Sequence, residues 1–178
     1  MVDRELVLVS GAPGVGKSTL AVQLSALTGI SLLSKDVIKE SLWDALQPPT
    51  GDLYWSRKLG GAAMEVLWAL AARSSRVILE ANFRPHSDYE RGRLSALSDR
   101  IVEVYCSCPP TVATQRYESR AAQPDHHPAH VTPHLDPALL AEFDQPIGIG
   151  PVIEIDTTEP VDVQSVAKRV IDALPERS

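Results

Sequence analysis

The sequence predicts an α/β fold: three layers, with a five-stranded parallel sheet covered by helices on both faces, plus a lid. Three observations lead to this prediction. Short apolar runs alternate along the chain with amphipathic segments of helical period, and this alternation is typical of parallel strands joined by right-handed crossover helices. Most of the apolar runs are continuous, as expected for strands that are buried on both faces. A glycine-rich segment, "GAPGVGKST", separates the first apolar run from the first amphipathic segment.

The strand candidates are five apolar runs of five to seven residues, most of them unbroken by polar positions. Ligands of open parallel sheets bind at the carboxyl ends of the strands. The residues just after each run are therefore candidates for a functional site. The strands are predicted at residues 5–10, 30–34, 76–81, 100–106 and 151–156.

The helix candidates lie between these runs, where apolar residues recur on one helical face. A further helix is expected to begin at Val37, directly after the second strand. The predicted apolar faces consist of Leu20, Leu24 and Leu27 in the first segment, of Leu59, Ala63, Val66, Leu67 and Leu70 in the third, and of Val163, Val166, Val170 and Leu174 in the last.

One region departs from the alternation. Residues 121–150 hold four of the five histidines and five of the fourteen prolines, and only a short helix near 137–144 is expected there. Structureless segments of this length are uncommon in compact domains, and an active-site lid is a leading explanation for them. We predict a lid at approximately residues 116–137. Its histidines, between His126 and His134, are expected to contact substrate, nucleotide or only solvent, and prolines in the segment disfavour a helical zinc pair.

Length and composition place further limits on the protein. A chain of 178 residues fits a single domain, residues 1–178, and 44% hydrophobic with 22% charged residues is typical of a globular protein. The net charge of −6 makes long nucleic acid an unfavourable partner. The chain lacks an apolar stretch of about twenty residues, and its charged start does not resemble a signal peptide. We therefore expect a cytoplasmic protein with reduced cysteines at Cys106 and Cys108.

The glycine-rich segment matches the pattern G-x-x-x-x-G-K-[ST] of the P-loop. Glycines let the backbone curl so that several amide groups point at a phosphate, and the lysine reaches the β and γ phosphates while the serine hydroxyl binds Mg²⁺. The helix after the loop directs its positive end at the same anion. The pattern therefore predicts a P-loop NTPase that binds ATP and Mg²⁺ through Gly11, Ala12, Pro13, Gly14, Val15, Gly16, Lys17, Ser18 and Thr19.

The class of P-loop protein is indicated by the chain beyond the glycine-rich segment. The D-x-x-G and N-K-x-D motifs of GTPases are absent from the sequence, which leaves compact kinases as the favoured class. Asp36 lies 19 residues after Lys17, just past the second strand. A carboxylate there is suited to orient an acceptor hydroxyl and take its proton during phosphoryl transfer. Two interpretations stay open at this stage: Asp36 is either that base or a helix cap, and Ser34 is the other candidate for the cap.

Four segments together resemble the small P-loop kinases, a nucleoside-kinase-like group that includes chloramphenicol phosphotransferase, zeta-toxin-type kinases, gluconate kinase and the kinase half of polynucleotide kinase. They are "GAPGVGKST", "SKDVIKE", "VILEANF" and an R-x-x-x-R segment before the lid. The resemblance implies that Asp36 is the catalytic base. It also implies that Arg116 and Arg120 are lid arginines that embrace the transferred phosphoryl group, and that residues 156–162 lie near the adenine.

Other polar residues are candidates on the same edge of the sheet. Glu80 ends the third strand, where an acid commonly holds Mg²⁺ through water. Asn82 and Arg84 lie in the next turn and are expected to contact substrate, although a loop arginine is as often simply solvated. Lys39 is expected to contact a substrate phosphate or to pair with Asp36, and Tyr54 is a candidate for packing a substrate ring, with ordinary packing as its alternative.

The sequence as a whole therefore predicts an ATP-dependent phosphotransferase that moves the γ-phosphoryl of Mg·ATP to a hydroxyl of a small antibiotic, sugar or nucleoside. Two alternatives remain: a kinase of polynucleotide 5′-hydroxyl ends, which the acidic composition disfavours, and a nucleotide-binding regulator that phosphorylates nothing. The acceptor, the choice between ATP and GTP, and the oligomeric state, monomer or homodimer, stay open.

Overall fold

The computed structural model of the protein describes residues 4–174, so the ends of the predicted domain, 1–3 and 175–178, lie outside the described residues. Its centre is a five-stranded sheet in which every pairing is parallel and the strand order is β2-β3-β1-β4-β5. The predicted fold class is confirmed. The strands are β1 (Glu5–Ser10), β2 (Ser31–Ser34), β3 (Arg76–Glu80), β4 (Arg100–Ser107) and β5 (Val152–Asp156).

Helices connect the strands and cover both faces of the sheet. They are α1 (Lys17–Thr28), α2 (Lys35–Leu46), α3 (Leu53–Ala71), α4 (Asp88–Leu97), α5 (Pro110–Ala121), α6 (Pro137–Leu140) and α7 (Val163–Ala173), and a 3₁₀ turn at Ala141–Phe143 extends α6. The short helix predicted near 137–144 is this α6 with its 3₁₀ turn. Among the described helices, none combines the length and the apolar composition needed to span a bilayer.

The central strand β1 shows how the sheet separates two cores. All six residues of β1 are buried, and successive side chains point to opposite faces. Val7 and Val9 pack in the core formed with α1 and α7, whereas Leu6 and Leu8 pack in the core formed with α3 and α4. This is why the strand is a continuous apolar run rather than an alternating one.

The residues at the centre of each predicted apolar helix face are buried, as expected. Some residues at the edges of these faces are partly exposed, and for them the prediction is wrong. In α3, Leu59, Ala63 and Leu67 are buried, but Val66 and Leu70 are 37% and 41% exposed. In α1, Leu27 is 51% exposed. The buried residues of α3 recur every four positions, so residues one place before them lie beside the contact line rather than on it. Partial exposure of such flanking residues is a consequence of helix geometry.

Helix α4 has a weak sequence signal, and the apolar pattern does not predict it. Its buried residues are only Leu94 and Glu90. The helix is nevertheless well defined at its start, because the side chain of the cap residue Ser87 accepts a hydrogen bond from the Glu90 amide.

Strand register brings the functional residues to one edge of the sheet. Ser34, the last residue of β2, pairs with Glu80, the last residue of β3, and Val9 of β1 pairs with Glu80 on its other side. The segment "GAPGVGK" leaves the same edge after Ser10. Three neighbouring strands therefore deliver a P-loop, an acid and the start of α2 to adjacent positions.

The fully buried side chain of Glu103 connects the end of β1 to the segment that precedes β5. Glu103, in the middle of β4, is 0% exposed. It accepts hydrogen bonds from the Ser10 hydroxyl and from the amides of Ile147 and Gly148, at 3.0 and 2.9 Å. Because a buried charge is costly unless it is hydrogen-bonded, these three donors explain how Glu103 is accommodated.

The lid lies across the carboxyl edge of the sheet and packs against α2 and α3. Helix α5 ends within it, at Ala121, and residues 122–136 contain no helix or strand. Ala129 is 0% exposed and forms a small apolar cluster with Trp43 of α2 and Leu59 of α3. The lid thus closes one side of the space above the P-loop.

Candidate active site

The P-loop has a shape that only glycine permits at two of its positions. Gly11 has a φ of +125°, and a Cβ placed on it would lie 2.1 Å from the carbonyl oxygen of Cys106. Gly14 has a φ of +83°, and its Cβ would lie 2.2 Å from the carbonyl oxygen of Ala113 in α5. The loop is therefore pressed against neighbouring backbone, and its curled form fits the phosphate cradle that the sequence predicts.

Lys17 is the first residue of α1 and lies in the cradle. Its side chain is buried, and Nζ donates a 2.7 Å hydrogen bond to the carbonyl oxygen of Ala12. Burial lowers the pKa of Lys17, and the nearby carboxylate of Glu80 opposes that shift. The P-loop is also held from behind, because the Thr157 hydroxyl donates to the carbonyl oxygen of Val15 at 2.6 Å.

The predicted metal-binding residues meet at one point. Glu80 is 3% exposed. Its Oε1 accepts a hydrogen bond from the Ser18 hydroxyl at 3.2 Å, and its Oε2 accepts one from the Ser34 hydroxyl at 2.6 Å. Mg²⁺ prefers oxygen ligands and is commonly held by one carboxylate, directly or through water. A serine hydroxyl beside an oriented carboxylate fits that preference.

The position of Asp36 removes one of the two interpretations left open by the sequence. Helix α2 begins at Lys35 rather than at the predicted Val37, and Ser34 occupies the cap position. Asp36 therefore lies inside the first turn and is not the cap. The Ser34 hydroxyl is directed at Glu80 instead of at the helix amides.

The surroundings of Asp36 favour its ionised form. Its side chain is 42% exposed, and Oδ1 lies 3.0 Å from Nζ of Lys35. Burial raises the pKa of Asp36, but Lys35, His130 and Lys17 outweigh burial and hold the pKa below its usual value. A charged carboxylate at this place is able to accept a hydrogen bond from an incoming hydroxyl.

One cleft of about 600 Å³ brings most of these residues together. It runs from the P-loop, past the ends of β2 and β3, to the lid. The predicted site residues that line it are Pro13, Gly14, Gly16, Lys17, Ser18, Thr19, Asp36, Glu80, Asn82 and Arg120. Behind the P-loop, Ala12 and Val15 face a second, mainly apolar cavity of about 490 Å³, on the other side of the loop.

The two predicted lid arginines separate. Arg120 lines the cleft, and its guanidinium carbon lies 5.8 Å from the ring centre of Tyr117. Arg116, one turn earlier in α5, donates a 3.1 Å hydrogen bond to the carbonyl oxygen of Thr158 beyond β5. The two side chains therefore point to different places, whereas the resemblance to small P-loop kinases implies that both embrace the transferred phosphoryl group.

Lys39 does not reach the cleft, contrary to its predicted role in substrate binding. It is buried in α2, and its Nζ donates to the Ser56 hydroxyl of α3 at 2.9 Å. Ser56 in turn donates to the carbonyl oxygen of Ala129 in the lid at 2.7 Å. Burial lowers the pKa of Lys39 to about 8. This lysine connects α2, α3 and the lid rather than contacting a ligand.

Arg84 is also engaged outside the cleft. Its guanidinium pairs with Glu90 at 3.3 Å and with Glu142 at 2.9 Å. These two acids come from α4 and from the 3₁₀ turn after α6. The side chain thus joins the β3–α4 turn to the segment after the lid, which leaves Asn82 as the residue of that turn that lines the cleft.

Tyr54 lies on the surface of α3, away from the cleft. Its side chain is 66% exposed, and its ring meets Trp55 edge-on at 6.2 Å. The remaining two tryptophans are buried. Trp43 is buried beside the lid, and Trp68 packs on Phe83 at 5.8 Å.

Two of the lid histidines contact acids of α2. His130 Nε2 lies 2.9 Å from Glu40 and His127 Nε2 lies 3.2 Å from Asp44, while His126 Nε2 lies 3.1 Å from the carbonyl oxygen of His130. Burial lowers the pKa of His130, although Asp36 opposes that shift. Among residues 4–174, no group of three or more histidine, cysteine or acidic side chains is arranged to hold a metal ion.

Several residues of the cleft were not predicted from the sequence. Glu40 lies four positions after Asp36, so its place on the same face of α2 could have been inferred from helical spacing. The others come from the β2–α2 junction, the lid and the short helix α6, where local sequence carries little positional information. They are Ser34, Lys35, Val37, Tyr117, Gln123, Asp125 and Leu139.

Comparison with known proteins identifies the family. The chain matches the model of an AAA domain, AAA_33, over residues 6–146. A protein of Chloroflexus aurantiacus J-10-fl that is proposed to be a kinase superposes with a TM-score of 0.86 and 31% sequence identity, and the match covers 97% of this chain and 100% of that one. None of the curated proteins matches the chain significantly.

Two more distant structures share the fold. Kti12 of Chaetomium thermophilum, in complex with ADP-AlF3, has a TM-score of 0.64 at 17% identity and covers 96% of this chain and 100% of its own. The shikimate kinase of Acinetobacter baumannii, in complex with shikimate, has a TM-score of 0.61 at 18% identity, with 96% and 93% covered. With the family model matched over most of its length, the chain belongs to the AAA_33 family of AAA domains, and its fold is that of the small P-loop kinases.

Proposed function

We propose that the protein is an ATP-dependent phosphotransferase that moves the γ-phosphoryl group of Mg·ATP to a hydroxyl of a small molecule. The observation that carries the proposal is the position of Asp36. Its carboxylate is not used as a helix cap and lines the same cleft as Lys17, Ser18, Glu80 and Arg120. A phosphate cradle and an ionised carboxylate in one cleft are the two parts that hydroxyl phosphorylation requires.

The nucleotide side of the cleft is formed by the P-loop and the end of β3. Mg·ATP, when bound, supplies the transferable phosphoryl group. The loop amides and the Lys17 ammonium would hold its phosphates. Ser18 and Glu80 would hold the cation, with Glu80 kept in position by the 2.6 Å hydrogen bond from Ser34.

Asp36 acts on the acceptor side. The carboxylate accepts a hydrogen bond from the acceptor hydroxyl and turns its oxygen toward the phosphoryl group. It receives the proton as the new oxygen–phosphorus bond forms and the bond to the ADP oxygen breaks. Because its pKa lies below the usual value, Asp36 is ionised at neutral pH and serves as an aligner first and a proton acceptor second.

Arg120 is the arginine that we assign to charge stabilisation, since it lines the cleft. Negative charge on the transferred group is stabilised by a cation from the lid, as an arginine supplied within the chain does in other phosphoryl-transfer proteins. Arg116 is assigned to the nucleotide base instead. It contacts Thr158, within residues 156–162, where the resemblance to small P-loop kinases predicts the adenine.

The test is a transfer assay with ATP labelled at the γ-phosphate, run over a panel of hydroxyl-bearing sugars, nucleosides and antibiotics. Asp36→Asn removes the charge while keeping the shape of the side chain. We expect it to retain nucleotide binding and to lose about 10²–10⁴-fold in kcat, the usual contribution of a general base. Asp99→Asn, an exposed aspartate before β4 at the opposite edge of the sheet, is the matched control.

The outcomes separate the alternatives. Full activity of Asp36→Asn would remove Asp36 from the mechanism. Saturable ATP binding without transfer to any acceptor would favour a nucleotide-dependent regulator. Transfer to 5′-hydroxyl ends of oligonucleotides would favour the polynucleotide kinase alternative, which the net charge of −6 disfavours.

A further inference from the structure

The charge of the cleft differs between its two sides. The nucleotide side carries Lys17 and Arg120, which suit phosphates. The side formed by α2 and the lid, here called the acceptor side, carries Lys35, Asp36, Glu40 and Asp125 together with three lid histidines. The histidines aside, three acids and one lysine leave a net charge of −2 on the acceptor side.

The cations near the acceptor side are already engaged. Lys35 lies 3.0 Å from Asp36. Lys39 is directed at Ser56, away from the cleft. Arg84 is paired with two acids outside the cleft. On the acceptor side, a carboxylate or phosphate of the acceptor would therefore have to displace an existing contact to find a cation.

The histidines of the acceptor side are also engaged already. Each of His126, His127 and His130 has its Nε2 within hydrogen-bond distance of a lid carbonyl or an acid of α2. Burial lowers the pKa of His130, which disfavours its positively charged form. Because Nε2 of each ring already faces an oxygen, these imidazoles offer an anionic ligand little.

The acids of the acceptor side retain capacity for a ligand. Asp125 is exposed in the lid, and within residues 4–174 its carboxylate has no hydrogen bond or ion pair. Glu40 uses Oε1 for His130, which leaves Oε2 as an acceptor on the cleft side of α2. These oxygens suit hydroxyl and ammonium donors.

From this distribution we infer that the acceptor is a small hydroxyl compound bearing a protonated amine, an amino alcohol or amino sugar, and not a hydroxy acid or a phosphorylated compound. The inference rests on the proposed function. The amine is the recognition group, held by Glu40 and Asp125, and is not phosphorylated. The phosphoryl group goes to the hydroxyl, whose proton passes to Asp36, while the bond between the phosphoryl group and the ADP oxygen breaks.

The test uses acceptors that share one carbon skeleton and differ in charge. A 2-amino sugar, its neutral parent sugar and the corresponding sugar acid are compared in the transfer assay, and two further series are built on amino alcohols and on aminated nucleosides. We expect kcat/KM to be about tenfold higher for the amine than for the neutral parent, and lower again for the acid. The preference should shrink as salt is raised, because the charges are partly exposed.

Two variants connect the preference to the named acids. Asp125→Asn and Glu40→Gln each remove one charge while keeping a hydrogen-bond acceptor, so the contact of Glu40 with His130 is retained. Each is expected to reduce the ratio of kcat/KM between amine and neutral parent about threefold. Asp99→Asn makes the same change on the opposite edge of the sheet and should leave the ratio unchanged.

The results distinguish the inference from the function on which it rests. If the acid or the neutral parent is phosphorylated as well as the amine in the series where transfer occurs, the inference is overturned and the kinase assignment stands. A preference for the amine that survives both variants also overturns the assignment to Glu40 and Asp125. If no acceptor of any charge receives phosphate, the proposed function itself fails, and the inference fails with it.

Discussion

The Ser34 hydroxyl donates a 2.6 Å hydrogen bond to Oε2 of Glu80. Ser34 occupies the cap position of α2, where a serine side chain ordinarily accepts a hydrogen bond from the helix amides. Here the Ser34 side chain instead donates to Glu80, at the end of the neighbouring strand β3, and orients this acid, which we assign to Mg²⁺.

Ser34→Ala should therefore affect the metal more than the helix. We expect the Mg²⁺ concentration for half-maximal turnover to rise about tenfold, which is typical for loss of a group that orients a metal ligand. The measurement is turnover as a function of Mg²⁺ at saturating ATP. Ser41→Ala is the control, because Ser41 lies in the same helix and bonds only to the carbonyl oxygen of Val37. An unchanged Mg²⁺ dependence of Ser34→Ala would contradict the assignment of Glu80.

Lys35→Met should shift the acid limb of the activity profile. Burial raises the pKa of Asp36, and Lys35 is the largest of the neighbours that lower it. Because the folded-state pKa lies below its usual value, the wild type should keep Asp36 ionised to a lower pH than an ordinary aspartate. Without Lys35 the effect of burial is less strongly opposed, and the acid limb should move to higher pH.

The same shift has a consequence for stability. A carboxyl whose folded pKa is lowered stabilises the fold above its unfolded pKa and loses that contribution as the pH falls through the folded pKa. In Lys35→Met the folded pKa of Asp36 should lie closer to its unfolded value, so this contribution should be smaller and stability should fall less steeply as the pH is lowered. Profiles of kcat/KM and of urea unfolding from about pH 3 to 8 measure both effects. Lys168→Met, which removes a surface lysine of α7, should reproduce the wild-type profiles.

Gly14→Ala should abolish tight nucleotide binding. The added Cβ would lie 2.2 Å from the carbonyl oxygen of Ala113, and the φ of +83° disfavours any other residue. We expect ATP affinity to fall by at least about tenfold, equivalent to about 1.4 kcal/mol. Gly92→Ala is the control, since Gly92 lies in α4 and no atom lies within 4 Å of a Cβ added there. This variant should bind ATP normally, and its free energy of unfolding should rise by about 0.5–1 kcal/mol. Normal ATP binding by Gly14→Ala would argue against the close approach of the P-loop to α5.

Ser56→Ala should loosen the lid. It removes the hydroxyl that links Lys39 to the carbonyl oxygen of Ala129, and leaving such buried groups unsatisfied costs about 1–3 kcal/mol. Hydrogen exchange of residues 122–136 should become faster, and KM for the acceptor should rise. Ser74→Ala, at an exposed site with a bond to the carbonyl oxygen of Leu70, serves as the control. Equal exchange rates in both variants would show that the link does not hold the lid.

The fold was largely predictable because its signals are local. Most strands are recognisable as continuous apolar runs, since parallel strands are buried on both faces. The exception, α4, buries only Leu94 and Glu90, so its amino-acid pattern contains little of the periodicity on which such predictions depend. The P-loop was predictable for a related reason: its function depends on nine consecutive residues whose spacing is set by the backbone.

The site beyond the P-loop was predictable only in part. Asp36, Glu80 and Asn82 line the cleft, because a strand end fixes where the next residues lie. Lys39, Arg84, Arg116 and Tyr54 make their contacts elsewhere. The sequence places these residues on the correct elements. It does not determine which groups from other elements lie within reach of a long side chain, and those groups decide the contacts it makes.

By itself, the sequence determined the α/β fold, the phosphate cradle and the position of Asp36 after the second strand, because each depends on contiguous residues or on strand ends. Tertiary structure alone decided which groups share the cleft. The Ser56 to Ala129 bond joins residues 73 positions apart, and the Arg84 to Glu142 pair joins residues 58 positions apart. Such contacts form between elements that approach only when the chain has folded, so no local pattern encodes them. These contacts hold the Lys39 and Arg84 side chains outside the cleft. The acids of α2 and the lid therefore outnumber the lysine on the acceptor side of the cleft.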